Sequence, residues 1–112
     1  MITIANAQFW VHDQDEALEF YTRVLGWEVR ADVSMEEWNF RWLVVGPPGQ
    51  ADIGLVLMRV PTPPMLDAET SSQLAELVAK GAGGTLFLET DDCRAAYDEL
   101  SSRGVVFNDP PT

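Results

Sequence analysis

A chain of 112 residues has room for one domain with one modest core. Eighteen acidic against seven basic residues leave a net charge of −11, which argues against nucleic acid and anionic membrane surfaces, since both need Lys and Arg to neutralise phosphate. No apolar run approaches the roughly 18 residues of a membrane span, no basic-then-apolar leader opens the chain, and the single Cys93 cannot form an internal disulfide, so a cytoplasmic protein is expected.

Ile2 to Val11 is a mostly apolar run that reads as a strand. Asp13 has the character of a helix N-cap, with Glu16 three residues on, as in a capping box. Ala17, Phe20, Tyr21, Val24 and Leu25 then recur at helical spacing, and Gly26 stands where a left-handed residue closes a helix. Trp27 to Val33 and Trp38 to Val45 read as the second and third strands, the latter closed by Gly46-Pro47-Pro48-Gly49. Ile53 to Val60, rich in aliphatic residues, is a fourth. Pro61, Pro63 and Pro64 interrupt regular structure, and a short helix is expected near Ser72 to Lys80.

Thr85 to Thr90 reads as a strand, Asp92 as the cap of a helix carrying Ala95, Ala96, Tyr97 and Leu100, and Val105 to Phe107 as the start of another strand after Gly104. Set 79 residues apart, Asn6 falls on Thr85, Val11 on Thr90, Asp13 on Asp92 and Ala17 on Ala96; Gly26 meets Gly104 after a one-residue deletion. Strand, acidic cap, helix, glycine and strand thus occur twice, the mark of a duplicated supersecondary unit.

The segment NAQFWVHDQDEALEFYTRVLGWEV, with Asp13, Ala17, Phe20, Tyr21, Leu25 and Gly26, resembles the opening of the glyoxalase / bleomycin-resistance / extradiol-dioxygenase (vicinal oxygen chelate) superfamily. The segment TLFLETDDCRAAYDELSSRGVVF resembles its second half. The resemblance implies an α+β fold of paired βαβββ modules around a cleft, in one glyoxalase-like domain over residues 1–112. Module one spans about 1–60, a linker with a short helix about 61–83, and a partial module two about 84–112. The family's second module continues with two strands beyond the one starting at Val105. Either the natural chain is longer or a partner chain fills the gap, and a homodimer is expected.

Enzymes of the superfamily hold a divalent metal at positions that align with Asn6, Val56 and Thr85. Valine has no donor atom, and Asn and Thr are weak ligands for transition metals, so no metal and no cofactor are expected. The one histidine, His12, is expected as an exposed loop residue, Cys93 as an inert thiol, and Glu36-Glu37 and Asp91-Asp92 as solvated charges.

Alternation along strands puts Gln8 and Trp10 on the face of Asn6, and by the same parity Val56, Met58, Thr85, Phe87 and Glu89 face the cleft. Trp38, Phe40 and Trp42 alternate along the third strand and either extend this lining, Trp42 foremost, or build a subunit interface. Such a lining suits a small organic molecule, and a Trp face beside a carboxylate such as Glu89 suits a cation. The leading expectation is metal-free sequestration of an organic, possibly cationic, ligand in the manner of bleomycin-resistance proteins. The alternatives are a lyase, isomerase or dioxygenase with an atypical metal site or acid–base work by Glu89, and a structural or regulatory module with no ligand.

Overall fold

The computed structural model describes residues 1–112. The chain folds as strand β1 (Asn6–Val11), helix α1 (Gln14–Glu19), strands β2 (Glu28–Met35), β3 (Phe40–Gly46) and β4 (Gly54–Arg59), then helices α2 (Ala68–Ala79) and α3 (Cys93–Ser102). No helix is long and apolar enough to cross a membrane. The four strands form one sheet in the order β1-β4-β3-β2, with β1 parallel to β4 and the other pairs antiparallel. This is an α+β fold with a βαβββ unit over its first half.

Local sequence signals set the element ends. The Asp13 carboxylate accepts from the backbone N–H groups of Asp15 and Glu16, which have no partner inside the first turn of α1. Asp92 caps α3 in the same way through the Ala95 N–H. Gly26 and Gly104 take φ of 76° and 98°, the left-handed region that a Cβ disfavours.

The expected stripe on α1 is altered. Phe20–Val24 continue the helix as a wider π-helical turn, in which the Leu25 N–H reaches the Phe20 carbonyl. The change of period turns Phe20 outward and leaves Ala17, Leu18 and Tyr21 on the sheet.

The core is the helix face of the sheet: Leu43, Val45, Leu55 and Leu57, covered by Phe9, Val11, Trp27, Leu86 and the α1 side chains. At one end of the sheet Arg30 is the extra residue of a bulge in β2. Its guanidinium donates to the carbonyls of Ile53 and Pro47 (2.7 Å each) and Gln50, tying down the β3–β4 loop. The other end is looser. Paired residues of β3 and β4 are Val44 with Val56 and Val45 with Leu55, and beyond them the two strands part.

Three expectations about the strands need correction. Trp38 belongs to a 3-10 turn, Glu36–Trp38, and β3 starts only at Phe40, because Asn39 enters the left-handed region (φ 51°) to close the β2–β3 hairpin. Thr85 to Thr90 and Val105 to Phe107 are not strands. Period-2 alternation tells which way side chains point, whereas a strand also needs a neighbour for its N–H and C=O groups. The segment before Thr85 touches β1 through a single backbone hydrogen bond, from Trp10 N–H to the Gly83 carbonyl (3.0 Å), and residues 85–90 make none. Close approach explains the glycines there: a Cβ on Gly83 would lie 2.4 Å from the Trp10 carbonyl oxygen, and one on Gly84 the same distance from the Phe9 ring. Phe87 and Val106 are consequently 94% and 91% exposed.

Candidate functional site

In this sheet order the tip of the β2–β3 hairpin, the end of β1 and the end of β4 all lie at the same end of the sheet. A cleft of about 930 Å³ opens there, where β3 and β4 have parted. Trp10, Phe40 and Met58 give it an apolar wall, Glu36, Glu37 and Trp38 come from the hairpin tip, and the segment Pro61–Met65 borders it after β4. Trp38 is 70% exposed on the rim. The splay also admits Gln14, Arg41 and Arg59, whose strand parity or helix would otherwise keep them on the core side.

The charges in the lining are not equivalent. Arg41 is held by two carboxylates: Asp32 receives its Nε and Nη2 (2.8 and 2.9 Å), and Asp15 receives its Nη1 (2.7 Å). These bonds raise the Arg41 pKa beyond its already alkaline value, so Arg41 stays charged and neutralised. Arg59 donates to the Asn39 carbonyl (3.2 Å) and has no carboxylate partner. Glu36 and Glu37 are exposed, and neither forms an ion pair.

The hydrogen bond from Arg41 holds the Asp32 carboxyl below its ordinary value of 3.8. A carboxylate with a depressed folded pKa contributes stability that is fully present above its unfolded value and lost as pH falls through the folded one. Stability in urea is therefore expected to fall on acidification below about pH 4, with Asp32→Asn less stable at neutral pH and losing less over that range. An acid limb identical in Asp32→Asn would remove the ion cluster from the account.

Of the residues expected at the site, Trp10 and Met58 meet in this cleft. Asn6, Gln8, Trp42 and Val56 share the Trp10 face of the sheet but do not line the cleft; Asn6 pairs with Gly54 and Gln8 with Val56. Thr85, Phe87 and Glu89 lie on the exposed, unpaired chain beyond β1, so Glu89 supplies no carboxylate here. Glu36 and Glu37, expected only as solvated turn charges, do. Gln14, Arg59 and the proline segment were not legible from strand alternation.

The divalent metal of the superfamily's enzymes does not fit these residues. Val56 offers no donor, Thr85 stands off the sheet, and no three His, Cys, Asp or Glu side chains come together to hold an ion.

A sequence model of the Glyoxalase/Bleomycin resistance protein/Dioxygenase superfamily matches residues 3–112. The chain belongs to this superfamily. Among solved structures it is similar to UcmS2, with 38% identity and a TM-score of 0.89 over 100% of this chain and 82% of that one. TnmS3, an antibiotic binding protein from Streptomyces sp. CB03234, is 29% identical, with a TM-score of 0.71 over 100% of this chain and 78% of its own. An uncharacterized protein of Shewanella frigidimarina is 33% identical over 97% of this chain and 76% of its own length.

Proposed function

We propose that the protein binds a small organic molecule in the cleft at the parted end of β3 and β4 and sequesters it in the cytoplasm without chemistry. The observation that carries the reading is the lining itself: Trp10, Phe40 and Met58 form one apolar wall, and polar side chains such as Gln14, Glu36 and Glu37 stand around it, an arrangement that suits an amphipathic organic ligand. Similarity to an antibiotic binding protein supports it. With the charge of Arg41 already neutralised by its carboxylates, Glu36 and Glu37 on the rim outnumber Arg59, the lining cation without a carboxylate partner, and this balance favours a ligand that carries a positive charge near an aromatic ring. In a thermal-shift screen, cationic aromatic compounds such as acridine orange raise the melting temperature more than neutral analogues of equal size. A screen in which no aromatic compound of either charge shifts the transition would overturn the reading.

Homodimerisation belongs to the same proposal. Residues 85–90 and 106–112 make no backbone hydrogen bonds, and Phe87, Leu88 and Val106 stand exposed beside them. Unpaired strand-like edges of this kind seek partners, and a two-fold copy is the commonest one. Light scattering at micromolar concentration is expected to return twice the 12.4 kDa chain mass. A monodisperse, cooperatively unfolding monomer contradicts it.

A further inference from the structure

The parted strands leave two backbone carbonyls, those of Arg41 on β3 and Leu57 on β4, without a ladder partner on the neighbouring strand across the gap. One side chain serves both. The Gln14 amide nitrogen donates to the Arg41 carbonyl (3.1 Å) and to the Leu57 carbonyl (2.9 Å). Gln14 is the first residue of α1, directly after the Asp13 cap, so its backbone is fixed at one end as its amide is at the other.

The amide's orientation follows from chemistry. A primary amide has two N–H donors and one carbonyl acceptor, and in the reversed orientation its oxygen would face two carbonyl oxygens. With both donors spent, Oε1 is the only hydrogen-bonding capacity that Gln14 has left. Oε1 accepts no hydrogen bond within the protein and is not buried, and Gln14 lines the cleft. The other neutral polar side chains of the lining, Ser34, Asn39 and Thr62, are exposed, and no side-chain hydrogen bond holds them. Arg41 and Arg59 are donors, while the Glu36 and Glu37 acceptors sit on exposed side chains at the hairpin tip.

We propose that Gln14 Oε1 is a fixed neutral acceptor in the cleft that makes the site prefer aromatic ligands carrying a hydroxyl or N–H donor. The inference rests on the cleft being the binding site. A preorganised acceptor discriminates because a ligand without the donor leaves Oε1 cut off from water with nothing in exchange.

The test compares 2-naphthol with 2-methylnaphthalene, in which a methyl replaces the hydroxyl at nearly the same size. Binding is followed by the Trp10 indole N–H signal in proton–nitrogen correlation spectra. The readout is the ratio of the two dissociation constants, since the methyl compound is intrinsically the more hydrophobic. Gln14→Lys can still donate to both carbonyls but has no acceptor, and it is expected to shift the ratio about fivefold toward the methyl compound. Gln14→Glu keeps acceptors but loses the two donors that fix them, and its oxygens are repelled by the Arg41 and Leu57 carbonyls, so it too is expected to lose part of the preference. A merely structural role for Gln14 would affect both probes alike and leave the ratio unmoved in either variant. If Gln14→Lys does not fold, Gln14→Met, of similar length and without a strong acceptor, takes its place. An unchanged ratio in the acceptor-free variant, with both probes still bound, overturns the inference and leaves the cleft as a binding site. Failure of both probes to move Trp10 in the wild-type protein overturns the cleft reading, and this inference with it.

Discussion

Replacing Leu57 with Ala is expected to lower the stability of the protein by about 3 kcal/mol, within the 2–5 kcal/mol usual for a buried leucine. Leu57 has no exposed surface and sits at the centre of the sheet, opposite Phe9 of β1 and within the cluster of Leu43, Val45 and Leu55. Removing its three outer carbons costs their transfer from water and leaves a cavity that the rigid sheet cannot close. The loss is large relative to what holds the chain together. Only 10 of 112 residues are buried, so the core has little to spare against a total stability of order 5–15 kcal/mol. A fall in melting temperature of roughly 10 °C is the expected reading. Leu77, 52% exposed on α2, is the control, and Leu77→Ala should change stability by no more than about 0.5 kcal/mol. Equal losses from the two variants would mean that the sheet cluster is not the main core.

How much of this was legible in the sequence depends on whether a signal is local. Asp13, Asp92, Gly26 and Gly104 announce helix ends because capping and left-handed turns are decided by a few adjacent residues. Alternation in β1 likewise separates Phe9 and Val11, which pack on the core, from Trp10, which lines the cleft. The same alternation in residues 85–90 is real but gives no strand, because pairing depends on distant chain. The shift from α- to π-helical spacing at Phe20 is invisible to a rule that assumes one period.

The cleft was half legible for a related reason. Trp10 and Met58 follow from parity, whereas Gln14, Glu36, Glu37 and Arg59 enter because the strands part at one end. Topology held a clue that alternation lacks. A β1 parallel to β4 and a β2–β3 hairpin place the ends of β1 and β4 beside the hairpin tip, so Glu36-Glu37-Trp38 and Pro61 onward had to border a common end of the sheet.

Trp10→Ala is expected to weaken binding of an aromatic ligand by tenfold or more while costing less stability than Leu57→Ala. The indole is half-buried at the end of β1, on the opposite face from the core, and is the largest side chain of the apolar wall formed with Phe40 and Met58. Truncating an aromatic that stacks on a ligand removes about 1.4–3 kcal/mol of contact, which is about ten- to 150-fold in the dissociation constant. Its backbone N–H still bonds to Gly83, so the linker keeps its attachment to β1. Phe87 provides the opposing case. It was expected on the same lining, but it is exposed on unpaired chain, and Phe87→Ala should leave affinity within about twofold in the monomer. Titration of both variants with a cationic aromatic compound, alongside their urea unfolding, separates the roles. A Trp10→Ala protein with unchanged affinity and a stability loss as large as that of Leu57→Ala would make Trp10 a packing residue and move the binding site away from the parted strands. A large affinity loss in Phe87→Ala, confined to concentrations at which the protein is dimeric, would instead place residues 84–90 of a second copy over the cleft.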